Sequence, residues 1–278
     1  MQKHHLWFEI RGRKSGDANI TTVLLLHGFT GSHLTWNRLC DALEGDYFFV
    51  IPDLPGHGNS FSKAGMGVSQ ISDALLDLLD DLGVEKTALL GYSMGGRIAL
   101  DFAMKYPDRL VCLILESTSP GIQDQNEREA RKLKDETLAE EIERNGLTWF
   151  VDKWENQELF ATQLDLDPYE RQKIRNERLG NSASGLAASL QSAGTGSMRP
   201  LWSQLAELRT PVLLIVGEKD EKYSAAAKKM MGLMSDCMIK IIKNAGHATH
   251  LENHQEFEET VKQFLNDVYS RQNRGIPN

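Results

Sequence analysis

The chain has 278 residues, 41% hydrophobic and 25% charged, an ordinary globular composition that suits one α/β domain with an inserted subdomain or two small domains. Its net charge of −8 argues against nucleic acid as a partner, and its longest apolar runs are too short to span a membrane. Three cysteines without paired spacing, and no signal-peptide core in the first residues, predict reduced thiols and a cytoplasmic protein.

Short apolar runs alternate with stretches of helical periodicity along the chain. The predicted strands are Leu6–Ile10, Thr21–Leu26, Tyr47–Ile51, Thr87–Leu90, Leu110–Leu115, Val212–Val216 and Met238–Ile242. The predicted helices are Ser69–Leu82, Gly95–Lys105, Ala225–Met234 and Gln255–Val268. This alternation is typical of a mainly parallel sheet that helices cover on both faces.

The segment between Pro120 and Leu208 breaks the pattern, because it contains no convincing strand and is rich in Glu, Arg, Lys and Leu. We interpret it as a helical cap inserted after the strand 110–115. Caps of this kind cover the C-terminal ends of the strands, where such sheets bind ligands. The predicted domains are a core of residues 1–119 and 208–278, and a cap of residues 120–207.

A candidate nucleophile lies in Gly91-Tyr92-Ser93-Met94-Gly95, which matches G-x-S-x-G. The pattern alone is weak, and an ordinary glycine turn is the alternative. Here it follows an apolar run and precedes a predicted helix, the strand–turn–helix setting that a nucleophile elbow needs. Glycines flank such a serine because its strained backbone leaves no room for neighbouring side chains.

Two further residues complete a predicted triad, with Asp220 and His247 each just past a predicted strand. The chain order Ser…Asp…His is that of the α/β-hydrolase fold, with His247 as base and Asp220 orienting it. Asp220 has the alternative of a helix N-cap or turn residue. Glu116, which follows the strand 110–115, is the rival acid, and we expect His250 near the mouth of the site.

Backbone N–H groups of Phe29 and Met94 are the predicted oxyanion donors, because the loop after the second strand and the residue after the nucleophile hold these positions in such folds. Arg97, four residues after Ser93, shares its helix face and would suit a carboxylate better than a neutral ester. For this arginine and those of the cap, the alternative is a solvated helix face. No histidine spacing predicts a metal site.

Core and cap together resemble the 2-succinyl-6-hydroxy-2,4-cyclohexadiene-1-carboxylate synthases of menaquinone biosynthesis over nearly the whole chain. The resemblance rests on the segments 89–97, 115–121 and 127–131, on Trp154, and on the segments 178–179, 194–196, 217–223 and 245–247. It implies that Arg97, Arg131 and Arg178 bind substrate carboxylates and that Tyr92 and Trp154 line the pocket. The stretch 197–200 departs from the family pattern, which affects local cap contacts and not the chemistry.

The resemblance also implies the reaction. Family enzymes eliminate pyruvate from an enolpyruvyl precursor by removing a proton next to a ketone, and a serine–histidine pair can act as that base. We therefore expect a polyanionic small-molecule substrate, no metal or organic cofactor, no nucleic acid, no membrane, and a monomer. The alternatives are a carboxylesterase, thioesterase or carbon–carbon hydrolase with the same triad, and a non-catalytic ligand receptor on the same fold.

Overall fold

The computed structural model describes residues 6–12, 21–60 and 65–273 of the chain. Seven strands in these residues form one sheet: β1 (Phe8–Gly12), β2 (Thr21–Leu26), β3 (Tyr47–Pro52), β4 (Thr87–Tyr92), β5 (Leu110–Glu116), β6 (Val212–Gly217) and β7 (Cys237–Ile242). Their spatial order is β1-β3-β2-β4-β5-β6-β7. The first strand pairs antiparallel with β3 and all other pairs are parallel, so the C-terminal ends of six strands meet at one edge.

Helices occupy the connections between strands. They are α1 (Asn37–Ala42), α2 (Val68–Asp81), α3 (Met94–Lys105), α4 (Gln125–Asn145), α5 (Leu147–Glu155), α6 (Pro168–Leu179), α7 (Ala183–Ala193), α8 (Glu221–Met231), α9 (Thr249–Glu252) and α10 (His254–Asn273). Shorter 3-10 segments are His33–Trp36, Pro107–Arg109, Glu158–Asp165 and Trp202–Glu207.

The sheet is buried on both faces because its strands are apolar at successive positions. Side chains alternate across it, so Leu24 belongs to an apolar cluster with residues of α2, α3 and α8 on one face, while Leu25 belongs to a cluster with residues of α1 and α10 on the other. The predicted mainly parallel, doubly covered sheet is therefore confirmed. Each predicted strand is present, with ends shifted by two residues at most.

The chain between β5 and β6 is helical, as predicted, and contains α4 to α7. Helices α4 and α7 begin at polar caps: Asp124 accepts a hydrogen bond from the Glu127 amide, and Ser182 accepts one from the Gly185 amide. A small apolar cluster that includes Ile142, Phe150, Leu186 and Leu190 joins α4, α5 and α7. We propose that residues 120–207 form the cap and the remaining residues the core.

Several helix boundaries differ from the prediction: α8 begins and ends earlier, and α10 extends to Asn273. The start of α8 has a physical reason. The sequence predicts a helix from Ala225, but α8 begins at Glu221 because the Asp220 side chain caps it, accepting from the Tyr223 amide at 3.2 Å. The short helix α1 was not predicted, since its six residues are fewer than two turns and show no full apolar period.

Candidate active site

Ser93 lies at a sharp turn between β4 and α3. Its backbone has φ 51° and ψ −102°, a region that non-glycine residues seldom adopt. A Cβ on Gly95 would lie 2.3 Å from the Leu26 carbonyl oxygen, so the turn requires glycine there. The end of β5 holds the turn, because the Ser93 amide donates to the Glu116 carbonyl at 2.9 Å and the Thr118 hydroxyl donates to the Ser93 carbonyl at 2.7 Å.

The structure brings the three predicted triad side chains into one hydrogen-bonded chain. His247 Nε2 lies 3.0 Å from Ser93 Oγ, and His247 Nδ1 lies 2.8 Å from Asp220 Oδ2. Both Asp220 and His247 are buried. This arrangement lets the imidazole take a proton from the serine while the carboxylate fixes the ring and stabilises its charged form.

Glu116, the rival acid, has other partners. Its Oε1 accepts from the Thr249 hydroxyl at 2.6 Å and from the His250 amide at 3.0 Å, and both of its carboxylate oxygens lie 2.9 Å from His250 Nδ1. Glu116 and His250 are both buried, and the Tyr92 ring stacks edge-on against His250 with centroids 4.7 Å apart. Glu116 thus binds His250 and not His247. His250 is buried and does not line the cavity that contains Ser93, so it does not lie near the mouth of the site as expected.

The loop after β2 passes close to Ser93. A Cβ on Gly28 would lie 2.6 Å from the Tyr92 ring and 3.6 Å from Ser93 Cβ, so only glycine lets the backbone approach this closely. Phe29 follows on this loop. Met94 is the first residue of α3, where amide groups have no carbonyl partner within the helix. Both amides therefore belong to segments adjoining Ser93, as an oxyanion hole requires.

A cavity of about 1180 Å³ lies between the strand ends and the cap helices. The sequence-predicted site residues that line it are Phe29, Tyr92, Ser93, Met94, Arg97, Arg131, Trp154, Asp220 and His247. Aromatic rings form much of one wall. The centroid of the Trp154 ring lies 5.2 Å from that of Phe29 and 5.7 Å from that of Phe160. The cavity is large enough for a ring compound with several substituents.

Arg97 supplies a cation to the wall of this cavity. Burial lowers its pKa to about 10, so the guanidinium still carries its charge at neutral pH. Its Nη2 donates a hydrogen bond to the Ala193 carbonyl at 3.3 Å, and its buried Nε has no partner in the part of the chain that the structure describes. A carboxylate in the cavity would provide acceptors for these donors.

The two cap arginines differ in placement. Arg131 lines the cavity and is held by the i,i+4 contact of its Nε with Asp135 Oδ1 at 2.8 Å. Arg178 is buried, donates to Gln163 Oε1 at 2.9 Å, and stands 5.2 Å from the Phe160 ring centroid. It lines a neighbouring cavity of about 360 Å³ and not the one that contains Ser93, with Phe160 contributing to both.

Three lysines that sequence reasoning missed also line the larger cavity. Lys219 and Lys222 flank Asp220 in the chain, and Lys134 lies one turn after Arg131 on α4. Sequence proximity to two predicted site residues was the available signal. Lys219 Nζ lies 3.6 Å from Asp165 Oδ2, so part of its charge is already paired.

Among the described residues, no group of three or more His, Cys, Asp or Glu side chains is arranged to hold a metal ion. No helix in the described ranges is long and apolar enough to cross a membrane.

Comparison with known proteins shows the family of the chain. The model of the α/β hydrolase fold family matches residues 21–254. A putative 2-succinyl-6-hydroxy-2,4-cyclohexadiene-1-carboxylate synthase of Bacillus subtilis (strain 168) is 42% identical over 250 residues, covering 88% of this chain and 90% of the relative. The synthase of Enterobacter sp. (strain 638) is 33% identical over 240 residues, covering 86% of this chain and 90% of the relative.

A solved structure is similar over nearly the whole length. The structure of MenH from S. aureus aligns with a TM-score of 0.90 at 34% identity, covering 94% of this chain and 98% of that chain. The chain therefore belongs to the α/β-hydrolase family and, within it, to the 2-succinyl-6-hydroxy-2,4-cyclohexadiene-1-carboxylate synthases.

Proposed function

We propose that this protein is a lyase of menaquinone biosynthesis. It eliminates pyruvate from 2-succinyl-5-enolpyruvyl-6-hydroxy-3-cyclohexene-1-carboxylate and forms 2-succinyl-6-hydroxy-2,4-cyclohexadiene-1-carboxylate, with Ser93, His247 and Asp220 as its proton-transfer unit. The observation that carries the proposal is the complete Ser93–His247–Asp220 chain opening on a cavity that also holds Arg97. We also propose that it acts as a monomer in the cytoplasm, without nucleic acid, membrane or cofactor.

The reaction needs a base and no water. Ser93 Oγ removes the proton from the ring carbon that bears the succinyl group, while His247 takes the hydroxyl proton. The electron pair forms a new ring double bond, the existing double bond shifts by one position, and the carbon–oxygen bond to the enolpyruvyl group breaks. Enolpyruvate leaves and receives a proton, which the His247 imidazolium can return, to become pyruvate.

Charge develops on the succinyl ketone oxygen when the proton is removed. We assign the amides of Phe29 and Met94 to that oxygen, because an enolate needs fixed donors just as a tetrahedral oxyanion does. Asp220, 2.8 Å from His247 Nδ1, stabilises the imidazolium that forms at the same moment. Ser93 thus acts as a base and forms no acyl-enzyme.

The substrate has carboxylates on the ring, on the succinyl arm and on the enolpyruvyl group. Arg97 and Arg131 line the cavity and would each bind one of them, which accounts for arginines in the site of an acidic protein. Tyr92 and Trp154 would enclose the ring. Arg178 lines the neighbouring cavity, and Phe160 lines both cavities. We expect substrate binding by Arg178 to require a rearrangement of this shared wall.

The test is a coupled assay in which the preceding enzyme of the pathway generates the unstable precursor and pyruvate is measured. Wild-type protein should release pyruvate, and Ser93→Ala should abolish the release. Ser197→Ala, an exposed serine of the same cap, serves as the matched control and should keep full activity. Turnover that survives in Ser93→Ala, or no pyruvate from wild type, would contradict the proposal.

A further inference from the structure

A glutamate of the cap binds the loop that carries Phe29. Glu177 lies in the last turn of α6, and its Oε1 accepts from the Ser32 amide at 2.9 Å, from the Ser32 hydroxyl at 3.0 Å and from the Thr35 hydroxyl at 2.6 Å. Burial raises the pKa of this carboxyl, whereas the bonds from Thr35 and Ser32 favour its ionised form. One cap side chain thus accepts three hydrogen bonds from the core.

A buried asparagine just beyond α6 makes the second connection. Asn181 Nδ2 donates to the Thr30 carbonyl at 2.8 Å, and its Oδ1 accepts from the Gly58 amide at 2.9 Å. The same Nδ2 lies 3.2 Å from the Arg178 carbonyl at the end of α6. Asn181 therefore joins the helix, the loop after β2 and the turn around Gly58.

The loop that these residues contact, 27–32, has a backbone that needs support. Thr30 has φ 73°, a left-handed conformation that is costly for a β-branched residue and persists only where neighbours hold it. The Gly31 amide donates to the Gly28 carbonyl at 3.1 Å, which closes the turn around Phe29. Asn181 binds this turn at Thr30, and Glu177 binds the chain just after it at Ser32.

We propose that Glu177 and Asn181 are positioning residues, through which the cap helix α6 holds the Phe29 amide toward the reacting ketone. This inference rests on the proposed function for the role of Phe29. It gives the cap a part in catalysis beyond covering the site. Arg178 lies between Glu177 and Asn181 in the chain. A substrate carboxylate bound to Arg178 would therefore contact the end of α6 whose neighbouring residues hold the loop 27–32.

Two measurements on purified full-length variants test the proposal: steady-state pyruvate release, and hydrogen exchange of amides 27–31. Glu177→Ala removes the acceptor of three bonds, and Asn181→Asp keeps the acceptor for Gly58 but cannot donate to Thr30. Glu177→Gln is the conservative variant, since its amide oxygen can accept the same bonds. Glu170→Ala is the matched control, because Glu170 lies on α6 and pairs with core residue Arg38 at 3.0 Å without contacting the loop.

We expect kcat to fall about tenfold to a hundredfold in Glu177→Ala and Asn181→Asp, with KM changed by less than about threefold. Exchange at residues 27–31 should accelerate in both, while α3 stays protected. Glu177→Gln should recover most of the loss, and Glu170→Ala should match wild type. If Glu177→Ala does not fold, the near-isosteric Asn181→Asp, which loses the bond to the Thr30 carbonyl, decides the question.

The proposal is overturned if kcat stays at the control level, or if exchange at 27–31 does not change. It is also overturned if the loop loosens while kcat is unaffected, because the contacts would then be structural. If wild-type protein released no pyruvate, the proposed function would fail, and the exchange measurement would still decide whether α6 holds the loop.

Discussion

Asp220 binds His247 through one carboxylate oxygen and the start of a helix through the other. Its Oδ2 lies 2.8 Å from His247 Nδ1, and its Oδ1 accepts from the Tyr223 amide in the first turn of α8. The two interpretations of this residue from the sequence, triad acid and helix cap, are therefore compatible. The cap fixes the carboxylate, and the fixed carboxylate orients the imidazole.

Asp220→Asn separates these two roles. Asparagine can still cap α8, but its amide cannot replace a carboxylate facing an imidazolium, so kcat should fall by about three to four orders of magnitude. The melting temperature should stay near that of wild type. Glu116→Gln should affect stability more than turnover, because Glu116 contacts Thr249 and His250 and not His247. If Asp220→Asn kept the kcat of wild type and a folded Glu116→Gln were inactive, Glu116 and not Asp220 would be the acid of the triad.

Ser93 and His247 should behave as one unit. Ser93→Ala and His247→Ala should each lower kcat by about three orders of magnitude or more, and the double variant should be hardly worse than either. The reason is that neither side chain can move the proton without the other. Kinetics of the three variants give the comparison, and losses that multiply would mean that the two residues act independently.

Arg97 should contribute through its two-pronged geometry as well as its charge. Arg97→Lys keeps the charge and should still weaken catalysis, while Arg97→Ala should cost about 2–4 kcal/mol of transition-state stabilisation. The measurement is kcat/KM with the precursor. Arg144→Ala, an exposed cap arginine, is the matched control.

Thermal unfolding of the Arg97 variants must be followed in parallel. The Nη2 bond to the Ala193 carbonyl also ties Arg97 to the end of α7, so a structural role has to be separated from a catalytic one. A large fall in melting temperature that parallels the loss of activity would assign Arg97 to the fold and not to the substrate.

The Glu252 carboxylate accepts hydrogen bonds from the backbone on both sides of His247. Its Oε2 accepts from the Gly246 amide at 2.6 Å and its Oε1 from the Ala248 amide at 3.2 Å. Glu252→Gln places an NH₂ group against one of these amides, so kcat should fall about tenfold through a displaced imidazole while KM is nearly unchanged. Glu259→Gln, an exposed glutamate on α10, should behave as wild type. Equal kcat in both variants would show that Glu252 does not position His247.

The sheet and the proximity of the three proposed triad residues could be predicted because both follow from local sequence. Apolar runs locate the strands, and in a parallel sheet the residues after those runs meet at one edge, which brings Ser93, Asp220 and His247 together. The contacts of Glu177 and Glu252 could not be predicted, since side-chain pairing across loops leaves no periodic signal. The placement of Arg178 beside the Phe160 ring, in the neighbouring cavity, depends on how the cap packs, which composition does not encode.

Two buried histidines should make the protein sensitive to acid. Burial lowers the pKa of His27 to about 4 and that of His57 to about 3, whereas the unfolded value is about 6.5. Between these values the unfolded state binds more protons than the folded state, so the free energy of unfolding falls as pH decreases from 6.5. Each histidine should lower the free energy of unfolding by about 2 kcal/mol between pH 7 and pH 5.

Denaturant unfolding of wild type and His57→Gln at both pH values measures this effect. The variant should lose about 2 kcal/mol less than wild type over that interval, whatever its stability at pH 7. Carboxylates titrate equally in both proteins and cancel in the difference. An identical pH dependence would mean that His57 is protonated in the folded state or is not buried in solution.

Elimination and hydrolysis can be separated by the mass of the enzyme during turnover. Wild-type protein is mixed with excess precursor, quenched at intervals, and analysed by intact mass while pyruvate is quantified in the same samples. We expect one pyruvate for each conjugated diene formed and no mass added to Ser93 at any time, because the serine acts as a base. A trapped acyl-Ser93, with no pyruvate released, would contradict this expectation and make this triad that of a hydrolase.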